Sequence, residues 1–259
     1  MKLIQWNIER GYQLPRIIEL LRRQVADGAD IIALQEVDIG CERSGWIDTG
    51  KRIAEALEMN YIFVCEFHEL YSPLRPPSAQ GGGVHGNAIL SRYDFRSTWA
   101  IHHRETFAWN RLGHTKKEPR VGERFTLGAE LVTPNGVVVV YSAHFEVFTG
   151  ITGRLQSYRE ILNDSTQRIA KGGSPYQVIL GDFNTLSHGI ARCSSSYCND
   201  SYRWRSLGYT ESEWWIANIF HHETHNQAGF YDPFDAYQDA TLSNYKGWFQ
   251  GKLDWILLK

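Results

Sequence analysis

"FTLGAELVTPNGVVVVYSAHF", residues 125–145, reads as two apolar runs joined by Pro134-Asn135-Gly136. Pro-Asn-Gly between β-branched runs is the chemistry of a tight turn, so the stretch predicts an antiparallel hairpin. A helix is predicted next, from about Gly153 to Ala170, with Leu155, Tyr158, Leu162 and Ile169 on one face. "YQVILGDFNT", residues 176–185, then runs from strand into loop. Working outward to the N-terminus, "LIQWNIE" puts Ile4, Trp6 and Ile8 on one strand face. Leu14, Ile18, Leu21 and Val25 recur at helical spacing, with Pro15 suited to a first turn. "DIIALQE" reads as a short buried strand, "KRIAEALEM" as a short helix, and "YIFVCEF", "GNAILS" and the terminal "LDWILL" as strands. Helices interspersed with hairpins predict an α+β fold in which two sheets pack together with helices outside.

Composition narrows the classes. The chain has 259 residues, 42% of them hydrophobic, enough for a large core in one domain. No linker or repeat interrupts it, so residues 1–259 are expected to form a single domain. A net charge of -2 excludes a global bias toward polyanions. "MKLIQWNIE" is not read as a signal peptide, and no stretch is a membrane span, so an intracellular site, cytoplasmic or nuclear, is expected, without an obligate protein partner. The four cysteines, Cys41, Cys65, Cys193 and Cys198, are expected as free thiols; a disulfide or metal pair across 193–198 is the alternative.

One pattern recurs along the chain. Apolar strands end in residues of useful chemistry: Asn7, Glu36, His144, then Asp182 and Asn184. Strand ends form a rim that is rigid and open to solvent. Each residue alone has an ordinary explanation: an Asx-turn for "GDFN", a helix cap for Glu36, a core histidine for His144. Together they form a set suited to phosphoester hydrolysis. Asn and Glu oxygens suit a hard cation, an Asp can position water, and His and Asn can donate to phosphate oxygens. No nucleophile elbow, phosphate-cradling glycine loop or His-Glu-x-x-His competes with this reading. Residues 92–124 carry eight Lys or Arg against four Asp or Glu, which reads as a solvated loop or a local phosphate attractor.

In order and spacing, "QWNIE", "ALQEVD", "HGNAILS", "YSAHFE", "LGDFNT" and "GKLDWIL" resemble the motifs of the endonuclease/exonuclease/phosphatase superfamily. The resemblance implies a four-layer α/β/β/α sandwich of two packed mixed sheets and an enzyme dependent on Mg2+ or Mn2+. It further implies Glu36 as main metal ligand with Asn7 beside it, Asp182 orienting or deprotonating the attacking water, and Asn184 binding phosphate. His144 would contact the phosphate in the transition state, and Asn87 would line the cleft. Asp254 matches the acid that orients a catalytic histidine; the Ser-Asp-His that supplies it in the family has no match here, so a chain truncated at its C-terminus, with an unpaired apolar edge at "LDWILL", is expected. "HH" at 221–222, His225, Asp232 and Asp235 lie upstream and are not expected to substitute, Asp235 in "PFDAY" matching a different position of the family pattern. The inositol 5-phosphatase subgroup is disfavoured, because its Trp before Gly-Asp and its Cys-Asp-Arg are missing. The substrate ranking is a phosphodiester in nucleic acid first, a lipid or small-molecule phosphoester second, and a catalytically weakened binding module third. The aromatic stretch from Tyr202 to Phe220 could stack bases, touch lipid or pack an insertion.

Overall fold

The computed structural model describes residues 1–185, 211–220, 228–234, 239–244 and 249–259. The strands are β1 (Lys2–Asn7), β2 (Ala29–Ile39), β3 (Asn60–Glu69), β4 (Val84–Ser91), β5 (Asp94–His102), β6 (Arg120–Gly122), β7 (Phe125–Thr133), β8 (Gly136–His144), β9 (Gln177–Asp182), β10 (Leu242–Asn244), β11 (Phe249–Gly251) and β12 (Asp254–Leu258). Four helices matter here: α1 (Leu14–Ala26), α2 (Thr49–Leu57), α3 (Trp109–Leu112) and α4 (Gly150–Ala170). A fifth, α5 (Glu211–Trp215), is short.

Two five-stranded mixed sheets form, ordered β1-β2-β4-β3-β6 and β12-β9-β8-β7-β5, with a separate β10-β11 pair. The predicted hairpin is present, with Leu127 opposite Ser142 and Thr133 opposite Gly136. Period-two alternation assigns side chains to layers. Ile31, Ala33 and Ile89 of one sheet meet Leu127, Ala129, Leu131, Val140, Val178 and Leu180 of the other. The alternate residues Ile32, Leu34 and Leu90 pack outward on Ile17 and Leu21 of α1 and Ile53 and Leu57 of α2. Val139, Tyr141 and Ile179 pack outward on Ile151, Leu155 and Tyr158 of α4 and on Trp214 and Trp215. Strands buried on both faces explain why their sequences read as near-continuous apolar runs.

Several expectations are corrected. β2 is not short: it continues past Glu36 to Ile39 through a bulge, where its pairing with β4 shifts between Leu34 and Val37. Residues 92–124 are not one solvated loop, since β5, α3 and β6 lie within them. In the aromatic stretch, Trp214, Trp215 and Phe220 are buried in the core beside α4, so the described part packs; residues 202–210 lie outside the described residues. The β12 edge is partly covered, because Leu258 exchanges backbone hydrogen bonds with Tyr231 at 2.8 and 2.9 Å. Cys41 and Cys65 are free thiols, whereas Cys193, Cys198, His221, His222, His225 and Asp235 lie outside the described residues. Among the described residues, no helix is long and apolar enough to cross a membrane.

One buried ion pair ties α4 to α5. Arg154 donates from Nε and Nη2 to Glu211 at 2.7–2.9 Å, and both side chains are fully buried. Its Nη1 donates to the carbonyls of Glu146 and Val147, at 3.3 and 3.0 Å. Removing one partner of such a pair strands the other charge, at about 3–5 kcal/mol. Arg154→Met is therefore expected to lower the unfolding free energy by that amount, seen as a lower urea midpoint at unchanged m. A shift below about 1 kcal/mol would show that the pair contributes little.

Candidate active site

The inter-sheet faces of the strands run into polar residues at one end of the sandwich. On β8 the inward series is Val138, Val140, Ser142, His144; on β9 it is Val178, Leu180, Asp182; on β1 it is Leu3, Gln5, Asn7. Register then aligns the ends. His144 pairs with Asp182 across β8 and β9, and Asp254 pairs with Asp182 across β12 and β9. One layer deeper, Gln5 Nε2 donates to Gln35 Oε1 (2.6 Å) and Asp254 Oδ1 (2.9 Å), and Gln35 Nε2 donates to Ser142 Oγ (3.1 Å). These bonds span the two sheets just beneath the rim and fix their relative position.

By strict alternation Glu36 would point away from this face. Two residues of β2, Gln35 and Glu36, face one position of β4, a β-bulge, and Glu36 adopts φ +58°. Positive φ at a non-glycine residue is disfavoured and concentrates at functional sites. The bulge brings the Glu36 carboxylate to the rim, where Asn7 Nδ2 donates to Glu36 Oε1 at 3.2 Å and to Asp182 Oδ2 at 3.0 Å. Gly86 pairs with Val37 beside the bulge; a Cβ there would lie 1.9 Å from the Val64 carbonyl oxygen, so this position of "HGNAIL" requires glycine. Asn184 also has positive φ, +50°. Its backbone N–H donates to Asp182 Oδ1 at 2.8 Å and its Nδ2 to the Phe145 carbonyl at 2.8 Å. The Asx-turn anticipated for "GDFN" thus exists and also shapes the site.

His144 is held in one tautomer. Arg124 Nη1 lies 3.0 Å from His144 Nδ1. A guanidinium only donates, so Nδ1 accepts and the imidazole proton resides on Nε2. That nitrogen is 3.8 Å from Asp182 Oδ2. Burial, with the Arg124 charge next, holds the imidazole pKa well below its usual value, so the ring is neutral at pH 7. Asp182 shifts the opposite way: burial and then the charge of Asp254 push it up to about 7. A carboxyl raised toward neutrality and a neutral imidazole therefore stand side by side.

Glu36, His144 and Asn184 line a cavity of about 470 Å³, together with Arg10, His85, Trp109, Lys116, Glu118, Arg120, Arg124, Val147 and Phe148. The sequence reading had missed Arg10, His85, Glu118 and the aromatic wall. Of the basic stretch, Arg92, Arg96, Arg104, Arg111 and Lys117 are exposed, as a solvated segment would have them. Lys116, Arg120 and Arg124 instead turn into the cavity. Arg124 is fixed between Glu66 (2.9 Å) and Glu146 (3.4 Å). His85 Nδ1 is 2.7 Å from Asp38 Oδ1, and Asp38 is bonded by Arg43.

Four expected residues, Asn7, Asp182, Asp254 and Asn87, do not line the cavity itself; Asn7 is bonded to Asp182, and Asp254 is paired with it. Asn87 does not line this cavity: it lies one layer deeper on the inter-sheet face, fully buried, and donates to the Phe125 carbonyl at 3.1 Å. Asp254 accepts from Gln5 and from no histidine among the described residues; its backbone N–H is bonded by Thr241 Oγ1. Asp232 is engaged by Lys252 Nζ at 2.6 Å.

For a divalent cation, Glu36 and Asn7 fit in kind. A carboxylate and a carboxamide converge beside a second carboxylate, and a Mg2+ ion binds through few protein oxygens while keeping several waters. Oxygen ligation by Asn7 requires its carboxamide to turn over, giving up the 3.0 Å bond that Oδ1 accepts from Glu9 N–H. Among the described residues, no group of three or more His, Cys, Asp or Glu is placed to hold a metal.

Two mixed five-stranded sheets packed face to face, flanked by helices and carrying a polar cleft at their strand ends, define a DNase I-like sandwich. The chain belongs to the Endonuclease/Exonuclease/phosphatase family, whose model matches residues 4–259. It is similar in fold to an endonuclease/exonuclease/phosphatase from Beutenbergia cavernae, at TM-score 0.60 and 17% identity, covering 99% of this chain and 63% of that one. The human Nocturnin catalytic domain with bound sulfate aligns at TM-score 0.56 and 16% identity, over 98% of this chain and 80% of that one. A humanized D. rerio TDP2 aligns at TM-score 0.54 and 14% identity, over 99% and 82%. The chain thus spans less than two thirds of the Beutenbergia chain. No curated protein matches it.

Proposed function

We propose that the chain is a divalent-metal-dependent phosphoesterase that hydrolyses a phosphodiester, with nucleic acid the substrate class ranked first. The observation that carries this reading is the Asp182–His144 pair, a carboxylate raised to about 7 beside a neutral imidazole whose tautomer is fixed by Arg124. Family membership supports hydrolytic chemistry. Glu36 and Asn7 would hold Mg2+ or Mn2+, which would neutralise charge on a phosphate oxygen. The chain's own groups do the rest. Asp182, ionised, accepts a proton from a water whose oxygen bonds to phosphorus as the ester P–O bond breaks, and the leaving oxygen takes its proton from solvent. His144 donates a hydrogen bond from its Nε2–H to a phosphate oxygen as charge builds there, and keeps the proton. Asn184 orients the phosphate from the turn that follows β9. Asp254 keeps Asp182 basic by its adjacent charge.

A lipid or small-molecule phosphoester is the second reading, since the cavity of about 470 Å³ is partly aromatic. The test is hydrolysis of bis-p-nitrophenyl phosphate with Mg2+ or Mn2+. EDTA is expected to abolish turnover, and Glu36→Gln to raise the metal concentration needed for half-maximal rate by at least about tenfold, the cost of losing a metal-site group. EDTA-insensitive turnover would overturn the metal assignment.

A further inference from the structure

The cavity holds more positive charge than one diester phosphate uses. Arg10, Lys116, Arg120 and Arg124 line it against only Glu36 and Glu118. Glu118 is shared, bonded by Arg10 and lying 3.0 Å from Arg120 Nη2. Burial alone would raise its carboxyl, but Arg120 and Arg10 hold it at about 2, so it stays charged. Arg10 also reaches Glu36 at 3.7 Å, a contact that competes with any cation on Glu36. Arg120 is 4% exposed, its guanidinium carbon 3.6 Å from the Trp109 ring centroid and 4.2 Å from that of Phe67, and its Nε makes no hydrogen bond. Burying a guanidinium this deeply is costly, and the aromatic faces offset part of that cost. Lys116 differs from the other three. Its Nζ lies 4.4 Å from the Phe148 ring centroid and 5.9 Å from that of Phe107, and among the described residues no carboxylate is within ion-pair distance. An ammonium on aromatic faces in the wall of a catalytic cavity, without a carboxylate, is poised for an anion that arrives with the ligand.

We infer that this wall is a second phosphate subsite, centred on Lys116 and flanked by Arg10 and Arg120, which selects substrates bearing a terminal phosphomonoester near the scissile diester. The inference rests on the phosphoesterase reading and deepens it. A phosphomonoester carries close to two charges at pH 7 and offers three acceptor oxygens, which matches one ammonium without a carboxylate partner among the described residues beside two partly compensated guanidiniums.

The experiment compares a thymidine dinucleotide bearing a terminal phosphate at either end with the bare dinucleotide, in wild type, Lys116→Gln and Arg96→Gln. Lys116 is only half-buried and Arg96 is exposed, so both variants are expected to fold. In wild type, kcat/KM is expected to be at least about tenfold higher for one of the phosphorylated substrates, and this ratio to fall toward unity in Lys116→Gln alone. Calorimetry with inorganic pyrophosphate in EDTA gives a readout independent of turnover: affinity is expected to drop several-fold in Lys116→Gln and to hold in Arg96→Gln. A wild-type ratio near unity, or unchanged ratio and pyrophosphate affinity in Lys116→Gln, would overturn the subsite. Absence of turnover on every substrate would instead fault the phosphoesterase reading, and the pyrophosphate result would then decide the subsite by itself.

Discussion

Asp182→Asn is expected to lower kcat for phosphodiester hydrolysis by about 10²–10⁴-fold, the range a positioned general base contributes. The side chain is 5% exposed and accepts from Asn7 Nδ2 and the Asn184 N–H on separate oxygens, so a carboxamide fills the same space, keeps one of the two acceptors and has no basic oxygen. The pH dependence follows from its pKa of about 7. Without metal, Asp182 is protonated below that value and cannot accept a proton, so its contribution falls as pH drops through 7; a bound cation shifts this limb to lower pH. The stability sign is opposite. A carboxyl raised from 3.8 to about 7 by folding binds its proton more tightly in the native state. It contributes stability below pH 3.8 that is lost as pH rises through about 7. In EDTA, Asp182→Asn is therefore expected to melt higher than wild type at pH 8, although it is inactive. Equal melting temperatures at pH 8 would show that the carboxylate is less confined than its burial implies.

The second large effect is at His144. His144→Ala is expected to reduce kcat by about 10²–10³-fold, the cost of removing one donor aimed at developing charge. Because the ring is neutral with its proton on Nε2, the loss should be constant across pH 6–8 rather than growing above the usual histidine range. Retention of near wild-type kcat would remove His144 from the chemistry. A loss confined to low pH would mean that the protonated ring acts instead.

Much of this site was legible because a β-strand carries its own register. Once β1, β8 and β9 are recognised by alternation, the polar residue closing each inward series, Asn7, His144 and Asp182, has to lie at the same end of the sandwich. Glu36 was found by its type and position, but its route to the rim was not legible, because a bulge is a two-against-one count between strands that a single strand does not display. The depth of Asn87 on the inter-sheet face is not legible either, because it is set by pairing with β2 and β3. The cationic wall was visible only as a charge excess over residues 92–124. Which of those cations turn inward depends on acids outside that stretch, Glu66 and Glu146 for Arg124 and Glu69 for Arg120, with Glu118 a local partner of Arg120. Arg10, directly after the first strand motif, is the residue whose type and position could have been weighed.

The most direct test of the central claim is a side-by-side assay of folded wild type and Asp182→Asn on single-stranded DNA, double-stranded DNA, RNA, sphingomyelin and bis-p-nitrophenyl phosphate with Mg2+ or Mn2+. The expected result is metal-dependent turnover of at least one phosphodiester by wild type, reduced by two or more orders of magnitude in the variant. Turnover by both proteins at the same rate, or by neither on any substrate, would contradict it.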